Sequence, residues 1–130
     1  MSDAAARPAR EEFRELARKH RVVPVWRELL ADLVTPVAVF ARLVPGDEPG
    51  FLFESVEHGE RWSRWSFVGR HPLATLTSRG RDVVVEGELT LDVPTDQGML
   101  AAVEAILDQF SSPDIEGLPP LHGGLVGYLG

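Results

Sequence analysis

Three short β-rich runs, separated by turns of only a few residues, constrain this chain more than any other feature. Residues 36–44 carry Val37, Val39, Ala41 and Leu43 on one alternation and Ala38 and Phe40 on the other. Residues 51–56 and 61–68 follow as two further runs, and Gly69 closes the last. The joins are Pro45-Gly46-Asp47-Glu48-Pro49-Gly50 and Glu57-His58-Gly59-Glu60, both turn-forming by composition. Strands joined this closely pair as neighbours, so the three runs are expected to form an antiparallel meander.

The flanking segments add helices and a hairpin. Phe13, Leu16 and Ala17 stand at i, i+3 and i+4 and mark a helix over residues 11–20, with Arg18, Lys19 and His20 in its last turn. Residues 21–26 are β-rich but broken by Pro24, which suits an edge strand. Residues 28–33 suit one or two helical turns. Residues 73–78 read as a strand, Arg79-Gly80-Arg81-Asp82 turns the chain, and Val83-Val84-Val85-Glu86 and Leu89-Thr90-Leu91 read as a hairpin about Gly87-Glu88. The clearest helix is residues 96–110, with Leu100, Val103, Ile106, Leu107 and Phe110 as its buried face and Thr95 or Asp96 as its cap. Residues 123–130 resume an apolar strand, either a last strand tucked into the sheet or an interrupted one. The expected class is α+β, a mostly antiparallel sheet with flanking helices. Residues 1–10 form a flexible tail and residues 11–130 the folded part.

Composition excludes several classes. The 130 residues fit one domain or one incomplete lobe, which at this size buries roughly two-thirds of its unfolded surface. There is no cysteine, so disulfides, a thiol nucleophile and a Cys-based zinc site are all absent and cytosol is the default compartment. A net charge of −7 argues against general nucleic-acid binding, since phosphates are met mainly by Lys and Arg. No apolar run is long enough to span a membrane, and the Ala-rich start lacks a signal-peptide core.

Chemistry-bearing patterns are sparse. His20, His58, His71 and His122 show no ligand spacing and read as exposed or turn histidines. The glycines of residues 123–130 read as a strand with close backbone packing in preference to a phosphate loop, because no Lys-Ser/Thr follows them. In Arg61-Trp62-Ser63-Arg64-Trp65-Ser66-Phe67, cations alternate with aromatics. A half-buried strand with Arg stems over rings, a small-ligand wall and a base-stacking surface all fit that pattern. Phe51-Leu52-Phe53-Glu54-Ser55 sets a carboxylate and a hydroxyl at the end of an apolar strand. That suits an amino-acid ligand, whose ammonium needs acceptors and whose side chain needs apolar walls, and equally an ordinary strand end. No Ser/His/Asp constellation or acid–base pair can be assembled.

Four segments, in order, resemble one family. Val23-Pro24-Val25-Trp26-Arg27-Glu28 with Leu33-Val34-Thr35-Pro36-Val37, then Leu52-Phe53-Glu54-Ser55, then Arg64-Trp65-Ser66-Phe67-Val68-Gly69, then residues 121–130 are similar to the N-terminal region of anthranilate synthase component I. Phe53 replaces a leucine, and Trp65 stands where tyrosine is common. The resemblance implies an incomplete part of the sandwich fold of chorismate-utilising enzymes, ending before the catalytic half. It implies a parent enzyme that converts chorismate to anthranilate, with Mg²⁺ bound outside this chain, a glutamine amidotransferase partner, and L-tryptophan as allosteric inhibitor. It assigns no catalytic or metal-binding residue here. It assigns the tryptophan pocket to Leu52, Phe53, Glu54, Ser55, Arg64, Trp65, Ser66 and Phe67. Aminodeoxychorismate synthase component I shares part of these motifs, and a free-standing amino-acid-binding module is the reading from another class.

Overall fold

The computed structural model describes residues 5–54 and 65–130. Along the chain lie α1 (Arg10–Ala17), α2 (Pro36–Leu43), β1 (Gly50–Glu54), β2 (Ser66–Arg70), β3 (Ala74–Arg79), β4 (Asp82–Gly87) and α3 (Met99–Gln109). The strands form two antiparallel pairs, β1 with β2 and β3 with β4, so the class is α+β as expected. Helix α2 packs on the first pair and α3 on the second.

The meander is corrected at its first strand, because residues 36–43 are helical. The start signal was in the sequence. The Thr35 side chain accepts a hydrogen bond from the Ala38 amide at 3.2 Å, and Pro36 fills the first turn, where its missing N–H costs nothing. The apolar residues also satisfy the helical period: Pro36, Val39, Phe40 and Val44 stand at i, i+3, i+4 and i+8, and Val44 is buried. The helix covers the hairpin that the strand was expected to extend. β1 and β2 pair with Gly50 opposite Arg70, Leu52 opposite Val68 and Glu54 opposite Ser66. The first part of the expected third strand, residues 61–64, lies outside the described residues.

The turn expected at residues 79–82 is present and joins the second hairpin. β3 and β4 are joined at Gly80-Arg81, with Arg79 opposite Asp82. Gly80 has φ +62° and Arg81 does not have positive φ, the pattern of a type II′ turn. The expected hairpin about Gly87-Glu88 does not form. The amides of Glu88 and Leu89 both donate to the Leu73 carbonyl, at 2.9 and 3.0 Å, and the chain leaves the sheet there. Residues 95–98 run beside β4 before α3 begins: Val83 N–H donates to Thr95 O at 2.8 Å, and Gly98 N–H to Arg81 O at 2.9 Å. Neither Thr95 nor Asp96 caps the helix, which starts after Gly98. Its buried residues are Ala102 and Ile106, and the helix packs on β3 and β4, where Val83 is buried, while Leu100 and Leu107 are exposed.

Residues 28–33 form no helix, and residues 123–130 form no strand. In place of an edge strand over residues 21–26 there is one antiparallel bridge, Arg7 with Trp26, held by backbone bonds of 2.9 and 2.8 Å. Helix α1 ends at Ala17, so Arg18 caps it and Lys19 and His20 fall beyond its last turn. The Val22 amide ties this region to Ser111 O at 3.1 Å, and Arg21 lies over the Phe110 ring at 5.2 Å.

The chain exposes 10925 Å². A compact monomer of this mass would expose about 6,800 Å², and the unfolded chain about 20,700 Å². Close to half the unfolded surface is buried, not two-thirds. Large apolar side chains are among what is exposed: Leu29, Leu30 and Leu33 are 77, 89 and 99% exposed, and Tyr128 is 96% exposed.

Candidate functional site

The motif residues of the two aromatic segments meet on the first hairpin. Leu52, Phe53 and Glu54 lie on β1, and Ser66 and Phe67 on β2, with Trp65 immediately before it. The register sets Glu54 opposite Ser66 and Phe53 opposite Phe67. Because successive side chains alternate, Leu52, Glu54, Ser66 and Val68 share one face, and Phe51, Phe53 and Phe67 share the other. The Phe51 and Phe53 rings touch, centroids 5.0 Å apart and tilted by 42°. The Phe51 ring lies over Gly69, where any side chain would meet it. Ser55 and Arg64 lie outside the described residues.

Glu54 is exposed, and Phe53 and Trp65 are half-exposed. Trp65 also lines a cleft of about 560 Å³, whose other walls are residues 24–28, residues 117–119 and His122. Three separately quoted segments therefore border one space: the Val23-to-Glu28 segment, the strand that follows Arg64, and the start of the glycine-rich segment. In the sequence Trp26 and His122 carry no pattern of their own beyond the motifs that contain them.

The cleft mixes aromatic and polar walls. Trp26 and Trp65 supply indole rings, and Arg27 and Glu28 supply charges of both signs. Glu28 lies 3.8 Å from Arg7, a loose and exposed pair. His122 Nδ1 is 3.0 Å from the Pro119 carbonyl oxygen. A carbonyl only accepts, so Nδ1 carries a proton and donates. Among the described residues no group of three or more His, Asp or Glu is placed to hold a metal ion, and no helix is long and apolar enough to cross a membrane. The arrangement is suited to holding a planar, partly polar molecule.

No family model matches the chain. Curated relatives do. The chain is 43% identical, over 98% of its length, to a Mycobacterium tuberculosis protein named anthranilate synthase component 1. It is 41% identical over 95% of its length to the protein of that name from Arthrobacter globiformis, and 30% identical over 95% to the one from Acetivibrio thermocellus. It spans about a quarter of the length of these relatives, 25%, 23% and 25% respectively. By sequence, then, the chain is homologous along nearly all of its length to proteins named anthranilate synthase component 1, and it corresponds to about a quarter of the length of such a protein.

Proposed function

We propose that this chain is the N-terminal, tryptophan-sensing region of an anthranilate synthase component 1, and that the parent protein makes anthranilate and pyruvate from chorismate. The observation that carries the reading is the 43% identity over 98% of the chain to a protein of that name. On this reading the nitrogen comes from ammonia, or from glutamine through an amidotransferase subunit, and the enzyme works in the cytoplasm. The parent uses Mg²⁺. The resemblance assigns its ligands to the rest of the parent.

The sensing role falls on the first hairpin. Glu54 and Ser55 hold the polar end of L-tryptophan, while Leu52, Phe53, Arg64, Trp65, Ser66 and Phe67 shape the adjacent wall. Inhibition requires that tryptophan bind one arrangement of the parent better than another, since a ligand shifts an equilibrium only by its difference in affinity.

The test is to express the full-length protein that contains this sequence. Fluorescence then follows anthranilate formation from chorismate, with Mg²⁺ and either ammonia or glutamine plus the amidotransferase. The full-length protein should form anthranilate and be inhibited by L-tryptophan, and this chain alone should form none. Turnover by this chain alone would overturn the division of roles. Full-length activity indifferent to tryptophan would remove the sensing role and leave the family assignment intact.

A further inference from the structure

We propose that helix α1 of one copy of this protein docks antiparallel on the outer face of α3 of a second copy, and that the exchange is reciprocal, giving a symmetric dimer.

Neither surface has a partner among the described residues. Helix α1 packs on no other helix or strand there, and Phe13 and Ala17 stand exposed on its apolar stripe. Helix α3 buries Ala102 and Ile106 and packs on β3 and β4, but it leaves Leu100 and Leu107 71 and 60% exposed. Those two leucines are about 10.5 Å apart along the helix axis, and the eight-residue α1 is about 12 Å long, so its length matches the stripe it would cover.

Charge decides the partner and its direction. Glu104 and Asp108, both exposed, run along one edge of the Leu100–Leu107 stripe. Arg10 and Arg14, both exposed, run along one edge of the α1 stripe. At 3.6 residues per turn, each charged edge lies on the same rotational side of its apolar stripe. Two helices laid face to face bring such edges together only when they run antiparallel. Helix α3 and the residues after it hold no Lys or Arg; all 13 lie within residues 1–81, the part that contains α1.

The chain's own α1 does not meet this requirement. The Val22 amide donates to Ser111 O at 3.1 Å, and Arg21 lies over the Phe110 ring at 5.2 Å. Helix α1 therefore leads toward the C-terminal end of α3 and could lie along it only in parallel. A second copy is free of that tether. Because each copy carries both surfaces, the contact forms twice about a two-fold axis.

Analytical ultracentrifugation of the full-length protein that contains this sequence, with no amidotransferase present, tests this. The wild type should be a dimer. Arg10→Glu with Arg14→Glu, and separately Glu104→Arg with Asp108→Arg, should each raise the dissociation constant at least about tenfold, since like charges then face each other twice. An equimolar mixture of the two variants should recover the wild-type affinity, because each α1 again meets an α3 of opposite charge. A single chain with all four substitutions should recover it too. All four positions are exposed, so the folds should survive. A monomeric wild type, as when another part of the parent covers α3, would overturn the proposal. So would a dimer indifferent to both reversals, or a loss that neither the mixture nor the four-substitution chain restores.

Discussion

Replacing Gly69 by alanine should loosen the first hairpin through one identifiable obstacle. A Cβ at that position would come within 2.6 Å of Phe51 Cζ and 2.8 Å of Phe51 Cδ1, well inside van der Waals contact. The Phe51 ring must swing away, and it rests against Phe53 at 5.0 Å. Overpacking costs roughly 1–3 kcal/mol, and a lost aromatic pair about 0.5–1.5 kcal/mol. Alanine recovers about 0.5–1 kcal/mol of the entropy that glycine loses in a strand. The net effect is about 2 kcal/mol, which raises amide exchange in β1 and β2 about thirtyfold where exchange proceeds by opening of the hairpin. Amides of β3 and β4, which pack with α3, should be unaffected. The decisive comparison repeats Gly69→Ala in a Phe51→Ala background. With the ring gone, the second substitution should be neutral or mildly stabilising. Equal costs in both backgrounds would refute the argument, since the ring would then not be the obstacle.

Other substitutions separate causes that look alike. Gly80→Ala, with open space around it and φ +62°, should cost only the left-handed backbone term, about 1–2 kcal/mol. Gly87→Ala should cost more, because its Cβ would meet the backbone itself, Leu73 O at 2.5 Å and Ala74 Cα at 2.7 Å; equal exchange rates in the two variants would contradict this. Thr35→Ala should cost about 1 kcal/mol of α2 stability and Thr35→Asn much less, read as exchange of the α2 amides. In the full-length protein, Ser55→Phe should weaken tryptophan inhibition at least about tenfold, from a lost hydrogen bond plus overpacking. Inhibition curves scaled to each variant's own uninhibited rate decide it, and a superimposable pair would remove Ser55 from the sensing role.

The fold class, β1, β3 and the heart of α3 were legible because their local signals agree: turn residues bracket the strands, and an eleven-residue helix carries its own period. Residues 36–43 were misread because β-branched residues alternate there while a helical stripe runs through the same letters. Thr35-Pro36 was the cue to weigh more heavily. The pairing of β4 turned on Gly80-Arg81 and not on Gly87-Glu88, a choice between two glycine turns made by which strand lies across from Val83 and Val85. The apolar letters of residues 123–130 imply a strand only if a partner is at hand, and the described residues provide none. At the site, the ordered motifs pointed to the hairpin, but bringing Trp26 and His122 beside Trp65 depends on chain segments about 40 and 60 residues away, which no local pattern encodes.

Each hairpin finds its helix close by in sequence: α2 immediately precedes β1 and β2, and α3 follows β3 and β4 after a short connection. Every such contact closes a short loop, and short loops carry a small entropic penalty and close fast. On a translating ribosome, which adds about 5–20 residues each second, either unit has time to assemble as soon as it clears the exit tunnel. In the parent proposed above, the leucines at 29, 30 and 33 would then stand in water until later parts of the polypeptide arrived. A nascent chain of this kind is an early folder that stays sticky, and chaperone dependence during synthesis should track those three leucines and not the hairpins.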